Sequence, residues 1–148
     1  VLEHIQGINV DLLNIQWIYR GLKFYNLSPE EVFNYTIAYG YELNRKDIKD
    51  LCYTKDIENF IKKIMNTRYS FLFHKENTRD VFMERRILRY QYYNVITDLT
   101  KKTDMDISQT IGYIMLLEDE VRDIVSIIES VRYGMPTKEA EKFLIREL

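Results

Sequence analysis

Residues 1–24 read VLEHIQGINVDLLNIQWIYRGLKF. Val1, Ile5, Ile8, Leu12, Ile15, Tyr19 and Leu22 recur in alternating steps of four and three. That spacing lays side chains along one face of a helix, because an α-helix turns once in 3.6 residues. A helix is therefore expected from about Leu2 to Phe24, with Gly7 and Gly21 each costing roughly 1 kcal/mol relative to alanine. No capping residue precedes Val1. A stripe already running at the first residue is expected of a piece of a longer chain.

The composition extends this reading to the rest of the chain. Five glycines and two prolines among 148 residues are far below the combined ~12% usual in globular proteins. A sandwich or barrel needs a turn every 8–12 residues or so, and turns draw on these two types. An all-α fold is expected, with long antiparallel helices and short helices forming bundle-like units. Hydrophobic residues make up 46% and charged residues 30%, which excludes a disordered or fibrous chain. No apolar run reaches the ~18 residues of a membrane span. The single cysteine, Cys52, excludes an intramolecular disulfide and points to a reducing, cytoplasmic compartment. Lys and Arg (21) nearly balance Asp and Glu (23), so no global field favours nucleic acid or an anionic membrane.

Local signals place the remaining elements. Ser28-Pro29-Glu30-Glu31 reads as a capping box with proline at the first helical position, opening a second helix to about Ala38 with Gly40 as its left-handed terminator. Asn44 or Arg45 opens a short helix ending near Cys52, and Thr54 is the expected cap of a fourth helix carrying Ile57, Phe60, Ile61 and Ile64. Residues 69–74 read as a loop or a short turn. A fifth helix is expected from Asn77 or Thr78, with Val81, Arg85, Leu88, Tyr92, Val95 and Leu99 at seam spacing. After a polar break at Asp104–Ser108, a sixth runs to about Tyr133, roughly 39 Å long. Gly134-Met135-Pro136-Thr137 ends it, and a seventh follows. Residues 1–148 are expected to form a single all-helical region.

Laying the first helix on the sixth with an offset of 109 puts Ile5 on Ile114, Leu12 on Val121, Ile15 on Ile124 and Leu22 on Val131. In both places a long helix gives way to a breaker and then a short capped helix. An internal repeat with halves 1–53 and 107–148 is the expectation.

Motifs of catalysis are scarce. His4 and His74 lie seventy residues apart with no acidic or cysteine partners at ligand spacing, so no metal site is expected. The glycines at 7, 21, 40, 112 and 134 are isolated and build no phosphate loop. Cys52 reads as a small buried apolar residue, and His4 as solvated. Catalytic, cofactor-binding and metal residues are accordingly none. Three features remain. Glu118 interrupts the stripe Ile107, Ile111, Ile114, Val121, Val125, Ile128, with Arg122 one turn later, as an ion pair or a polar knot that fixes register. Arg79, Arg85, Arg86 and Arg89 interleave with Tyr90, Tyr92 and Tyr93, where structural pairing is favoured over nucleic-acid binding. Twelve tyrosines suit half-buried contacts and interfaces.

Asp11-Leu12-Leu13-Asn14-Ile15, Arg20-Gly21-Leu22, Leu27-Ser28-Pro29-Glu30-Glu31 and Gly40-Tyr41-Glu42-Leu43 resemble the central segment of the C subunit of the V/A-type ATPases, called the d subunit in eukaryotes. Glu118-x-Glu120-x-Arg122, Ile124 and Gly134-Met135-Pro136 are similar to that family's C-terminal helix and closing turn. Leu117 stands where the family usually has lysine, and Asp123 where it has asparagine. The resemblance implies an all-helical funnel of three similar units about a pseudo-threefold axis, of which this chain would be the C-terminal part, one to one and a half units. It implies a non-catalytic component of the central stalk, without cofactors, that couples the rotating axle subunits to the membrane ion-translocating ring. It also implies a cytoplasmic place, peripheral to the membrane through protein contacts only, with no nucleic-acid partner. A generic helical interaction or regulatory domain is the alternative. Asp11 and Asn14, with Glu118, Glu120 and Arg122, fall at equivalent places in the suspected repeats and are expected to hold helices against each other.

Overall fold

The computed structural model describes residues 2–73, 80–101 and 106–146. These residues form helices and connecting turns, with no strand among them. They fall into two compact units, Leu2–Glu76 and Asn77–Leu148.

In the first unit α1 spans Leu2–Arg20 and buries five residues of the expected stripe, Ile5, Ile8, Leu12, Ile15 and Tyr19, with Ile18 beside them, each no more than 2% exposed. Leu22 is half-buried and Val1 lies outside the described residues. A π-helical turn, Gly21–Tyr25, follows and ends at Asn26, left-handed at φ 46°. α2 is short, Pro29–Asn34, and begins with the capping box read from sequence. The Ser28 hydroxyl accepts from the Glu31 N–H at 3.3 Å, and the Glu31 carboxylate accepts from the Ser28 N–H at 2.9 Å. That pairing holds the Glu31 carboxyl below its ordinary pKa. α3, Arg45–Cys52, is capped by Asn44, whose side chain accepts from the N–H groups of Lys46 and Asp47. α4 spans Ile57–Met65, and a 3-10 turn covers Arg68–Leu72. Ile48, Leu51, Cys52, Phe60, Ile64, Tyr69 and Leu72 complete the core.

Four sequence expectations shift here. α2 stops at Asn34 rather than near Ala38, because residues 37–43 are drawn onto α1 by the hydrogen bonds described below. The left-handed residue of this stretch is Tyr39 at φ 69°, not Gly40. Gly40 is needed for proximity: a Cβ there would lie 1.8 Å from Asp11 Oδ1. The α4 cap is Asp56, which accepts from the Asn59 N–H at 2.7 Å, while Thr54 donates its hydroxyl back to the Leu51 carbonyl. His4 is half-buried, edge-on to the Tyr41 ring at 4.6 Å between centroids, and is not solvated.

In the second unit α5, Asp80–Lys101, packs against α6, Ile107–Arg132. Met83, Ile87 and Val95 of α5 are buried. α6 is capped by Asp106. Gly112 lets the two helices close, since a Cβ there would stand 2.8 Å from Leu99 Cδ2. α7 is a single turn, Thr137–Ala140, continued as a 3-10 turn over Glu141–Phe143. The starting point expected for the fifth helix, Asn77 or Thr78, lies outside the described residues, as do His74, Arg79 and the first two residues of the polar break, Asp104 and Met105.

α6 reverses the expected face. It buries Ser108, Gly112, Asp119, Asp123 and Ser130. Ile107, Ile114, Val121, Val125 and Ile128 of the supposed core stripe are exposed. Glu118 is exposed with them, so it is no carboxylate in a buried seam, and Arg122 pairs instead with Asp119, Nη1 to Oδ1 at 2.8 Å.

Candidate functional site

The polar side chains singled out in the sequence separate into one constellation in each unit. On α1, Asp11 and Asn14 are one turn apart and both are buried. Asn14 grips the backbone of Ile37 on both sides: its Oδ1 accepts from the Ile37 N–H at 2.8 Å, and its Nδ2 donates to the Ile37 carbonyl at 2.8 Å. Asp11 Oδ2 accepts from the N–H groups of Tyr41 at 3.1 Å, Glu42 at 2.7 Å and Leu43 at 3.4 Å, and from the Tyr69 hydroxyl at 2.7 Å. Asp11 therefore ties α1, the 41–43 turn and the 3-10 turn to a single oxygen. Hydrogen bonds to a charged acceptor are the stronger kind, and the donors pinned here lie thirty or more residues downstream in the chain.

The corresponding device in the second unit rests on Asp123, which sequence reading singled out only as a departure from the family's asparagine. Its Oδ1 accepts from the Ile145 N–H at 2.7 Å and its Oδ2 from the Arg146 N–H at 3.1 Å. Leu144 and Ile145 are buried there. The Arg146 guanidinium reaches Glu120 Oε1 at 3.4 Å and Asp123 Oδ2 at 3.6 Å. From α5, Arg89 Nε donates to the Leu144 carbonyl at 2.8 Å, and its Nη2 reaches the carbonyls of Glu141 and Lys142 at 3.4 and 3.3 Å. The arginine cluster on α5 thus includes a clamp on the backbone of its own unit.

Of the residues named from sequence, Asp11 and Asn14 share one constellation. Glu120 belongs to the second, through Arg146. Glu118 lies outside both, and Arg122 serves Asp119 on the same helix. Burial of Asp119 raises its carboxyl pKa, with the Arg122 hydrogen bond opposing. The structural pairing expected of Arg89 is seen, and the missed members are Tyr69, Asp123 and Arg146. The 109-residue offset held a signal for one of them: Asn14 falls on Asp123, and beyond the one-residue gap that sets Ser28 on Pro136, Ile37 falls on Ile145. The Ile37-to-Asn14 and Ile145-to-Asp123 hydrogen bonds span 23 and 22 residues.

Neither constellation is arranged for chemistry. Asp11 is enclosed by backbone and by Gly40, and Asp123 is covered by the 144–146 strip. Among the described residues no group of three or more His, Cys, Asp or Glu side chains could hold a metal ion. Burial pushes the Cys52 thiol up to about 11, so it is neither nucleophile nor ligand at neutral pH. An apolar groove in the first unit, about 320 Å³, is lined by Trp17, Leu27, Val32 and Tyr35, and a more polar one, about 360 Å³, by Glu42, Asp47, Asp50 and Lys63 among others. No described helix is long and apolar enough to cross a membrane.

Buried carboxylate and amide staples on long helices mark a helix-built protein. Comparison with known families gives the group: the profile of the ATP synthase (C/AC39) subunit matches residues 1–143, and the chain belongs to that family. It is similar to the A-type ATP synthase C subunit of Methanobrevibacter smithii, 28% identical over 152 residues, and to those of Methanothermobacter thermautotrophicus (23%) and Methanosphaera stadtmanae (22%). These alignments take in 97–98% of this chain and 39% of each relative, so the chain spans about two fifths of their length. No solved structure gives a significant match.

Proposed function

We propose that this chain is part of a non-catalytic central-stalk component of a rotary V/A-type ATPase, coupling the rotating axle to the membrane ion-translocating ring. The observation that carries the reading is membership of the ATP synthase C/AC39 family over residues 1–143. The staples fit it. An element that transmits torque must resist twisting between its ends, and each staple fixes a loop to a long helix through hydrogen bonds that span more than twenty residues. Close-packed interiors resist deformation in the same way. The location that follows is the cytoplasmic face of the membrane, reached through protein contacts.

Halves 1–53 and 107–148 are copies of one unit in this proposal. Three features support it: a left-handed residue after each long helix, Asn26 at φ 46° and Gly134 at φ 63°; a short helix opening after Ser28 or Pro136; and a hydrogen bond from the matching backbone N–H in each half, Ile37 to Asn14 and Ile145 to Asp123. Asp11, Asn14, Glu120 and Asp123 are positioning residues in these units, and Arg122 steadies Asp119.

The test is capture of isolated axle subunits and of the detergent-solubilised ring by the polypeptide at the length its source makes. Binding to both is expected. Binding to neither refutes the coupler and leaves a helical interaction domain of another kind. ATP hydrolysis by the polypeptide alone would refute the non-catalytic assignment.

A further inference from the structure

α6 presents to solvent the stripe that α1 buries. By the 109-residue offset, Ile5, Ile8, Leu12, Ile15 and Tyr19 fall on Ile114, Leu117, Val121, Ile124 and Ile128. The first five are 0–2% exposed and the second five 41–58% exposed. Their spacing alternates three and four, with isoleucine or valine at 114, 121 and 128 and leucine or isoleucine at 117 and 124. That is the pattern of a helix seam that takes another helix. Val125 and Ile127, also exposed, widen it on both flanks, so one narrow helix would leave apolar surface bare. The face from Ile114 to Ile128 runs about 21 Å along the 26-residue helix. Contiguous exposed apolar patches of this kind mark interaction sites.

The cover on α1 shows what fits such a stripe. α1 packs against α2 and α3, and the Tyr19 ring lies 6.2 Å from that of Phe60 on α4 and 5.4 Å from that of Phe73 beyond the 3-10 turn. Three short helices and a turn supply it; α7, which packs on α6, is the counterpart of α2 in the proposed repeat, which leaves a pair to be supplied. We infer that the Ile114–Ile128 face of α6 is a docking surface for a pair of short amphipathic helices from the same C/AC39 polypeptide. Their source is the part of that polypeptide corresponding to the relatives' residues outside the matched 39%. More than half of each relative is available for it, and the occupant is intramolecular, as it is for α1. The inference rests on the repeat proposed above and is independent of the rotor role.

The test is thiol labelling of Val121→Cys, with Lys138→Cys on α7 as an exposed reference; Cys52 is buried and stays silent. In the 148-residue chain both cysteines should react with a maleimide at similar rates. In the polypeptide at its natural length, purified without partner proteins, Val121→Cys should react at least ~10-fold more slowly, while Lys138→Cys is unchanged. Val121→Asp supplies a second reading: it should leave the unfolding midpoint of the 148-residue chain in place and lower that of the natural-length polypeptide. Equal labelling in both lengths overturns the inference. So does protection that needs partner proteins, which would make the occupant a second protein. Protection already present in the 148-residue chain also overturns it, assigning the face to a second copy if it grows with concentration and to the chain's own first unit if it does not.

Discussion

Replacing Asp11 by alanine removes the acceptor for the Tyr41, Glu42 and Leu43 N–H groups and for the Tyr69 hydroxyl. Leu43 and Tyr69 are buried, so at least two donors lose their partner where water does not reach them. Each unsatisfied buried donor costs about 1–3 kcal/mol, and hydrogen bonds to a charged acceptor are worth about 1.5–3 kcal/mol apiece. The four bonds share one oxygen and are not additive. A loss of about 3–5 kcal/mol follows, much of the ~5–15 kcal/mol by which domains are usually stable. Asp11→Asn keeps an acceptor oxygen but not the charge, and should cost about 1–2 kcal/mol, since the neutral hydrogen bond is roughly half as strong. The assay is urea unfolding followed by the fluorescence of Trp17, the single tryptophan, which sits on α1 and reports the first unit. A cost below ~1 kcal/mol for Asp11→Ala would refute the idea that this oxygen holds the unit together. So would equal costs for alanine and asparagine.

Gly40→Ala places a methyl 1.8 Å from Asp11 Oδ1 and should destabilise by ~2 kcal/mol or more; in an Asp11→Ala background the urea midpoint should show that penalty largely relieved, and an undiminished penalty would locate the clash elsewhere. The Cys52 thiol, raised from 9.0 to about 11, should react with a disulfide reagent at pH 8 at least ~100-fold more slowly in the folded chain than in urea, and a comparable rate would contradict its burial. Asp119 binds its proton more tightly folded than unfolded, because burial raises its pKa above 3.8. The unfolded state then binds fewer protons in that window, so the side chain's contribution falls as pH rises through it. Relative to Asp119→Asn, the wild-type chain should gain stability as pH is lowered from 7 to 4; a difference that shrinks on acidification would reverse the sign.

The local chemistry of the fold was legible in the sequence wherever a few adjacent residues settle it. The Ser28–Glu31 box forms as read, and α3 opens at one of the two places read, Arg45 behind Asn44. Ile5, Ile8, Leu12, Ile15 and Tyr19 of the α1 stripe are buried while Leu22 is half-buried. The readings that moved depend on contacts far along the chain. Gly40 looks like a helix terminator locally, yet its role is set by Asp11, 29 positions away. Asp123 takes its meaning from backbone N–H groups at 145 and 146. The stripe on α6 has the same periodicity as that on α1, and periodicity reports that a face is apolar without reporting what covers it. Glu118 looked costly only because that face was assumed to be inside. The family resemblance needed none of these contacts, since it rests on the order and spacing of short blocks along nearly the whole chain.

Torque coupling is tested most directly in membranes stripped of the C/AC39 polypeptide and then given it back at its natural length. ATP hydrolysis by the catalytic head should survive stripping, while ATP-driven ion transport should be lost and should return on add-back, but not when the added polypeptide carries Asp11→Ala. Ion transport that persists without the polypeptide would contradict the assignment.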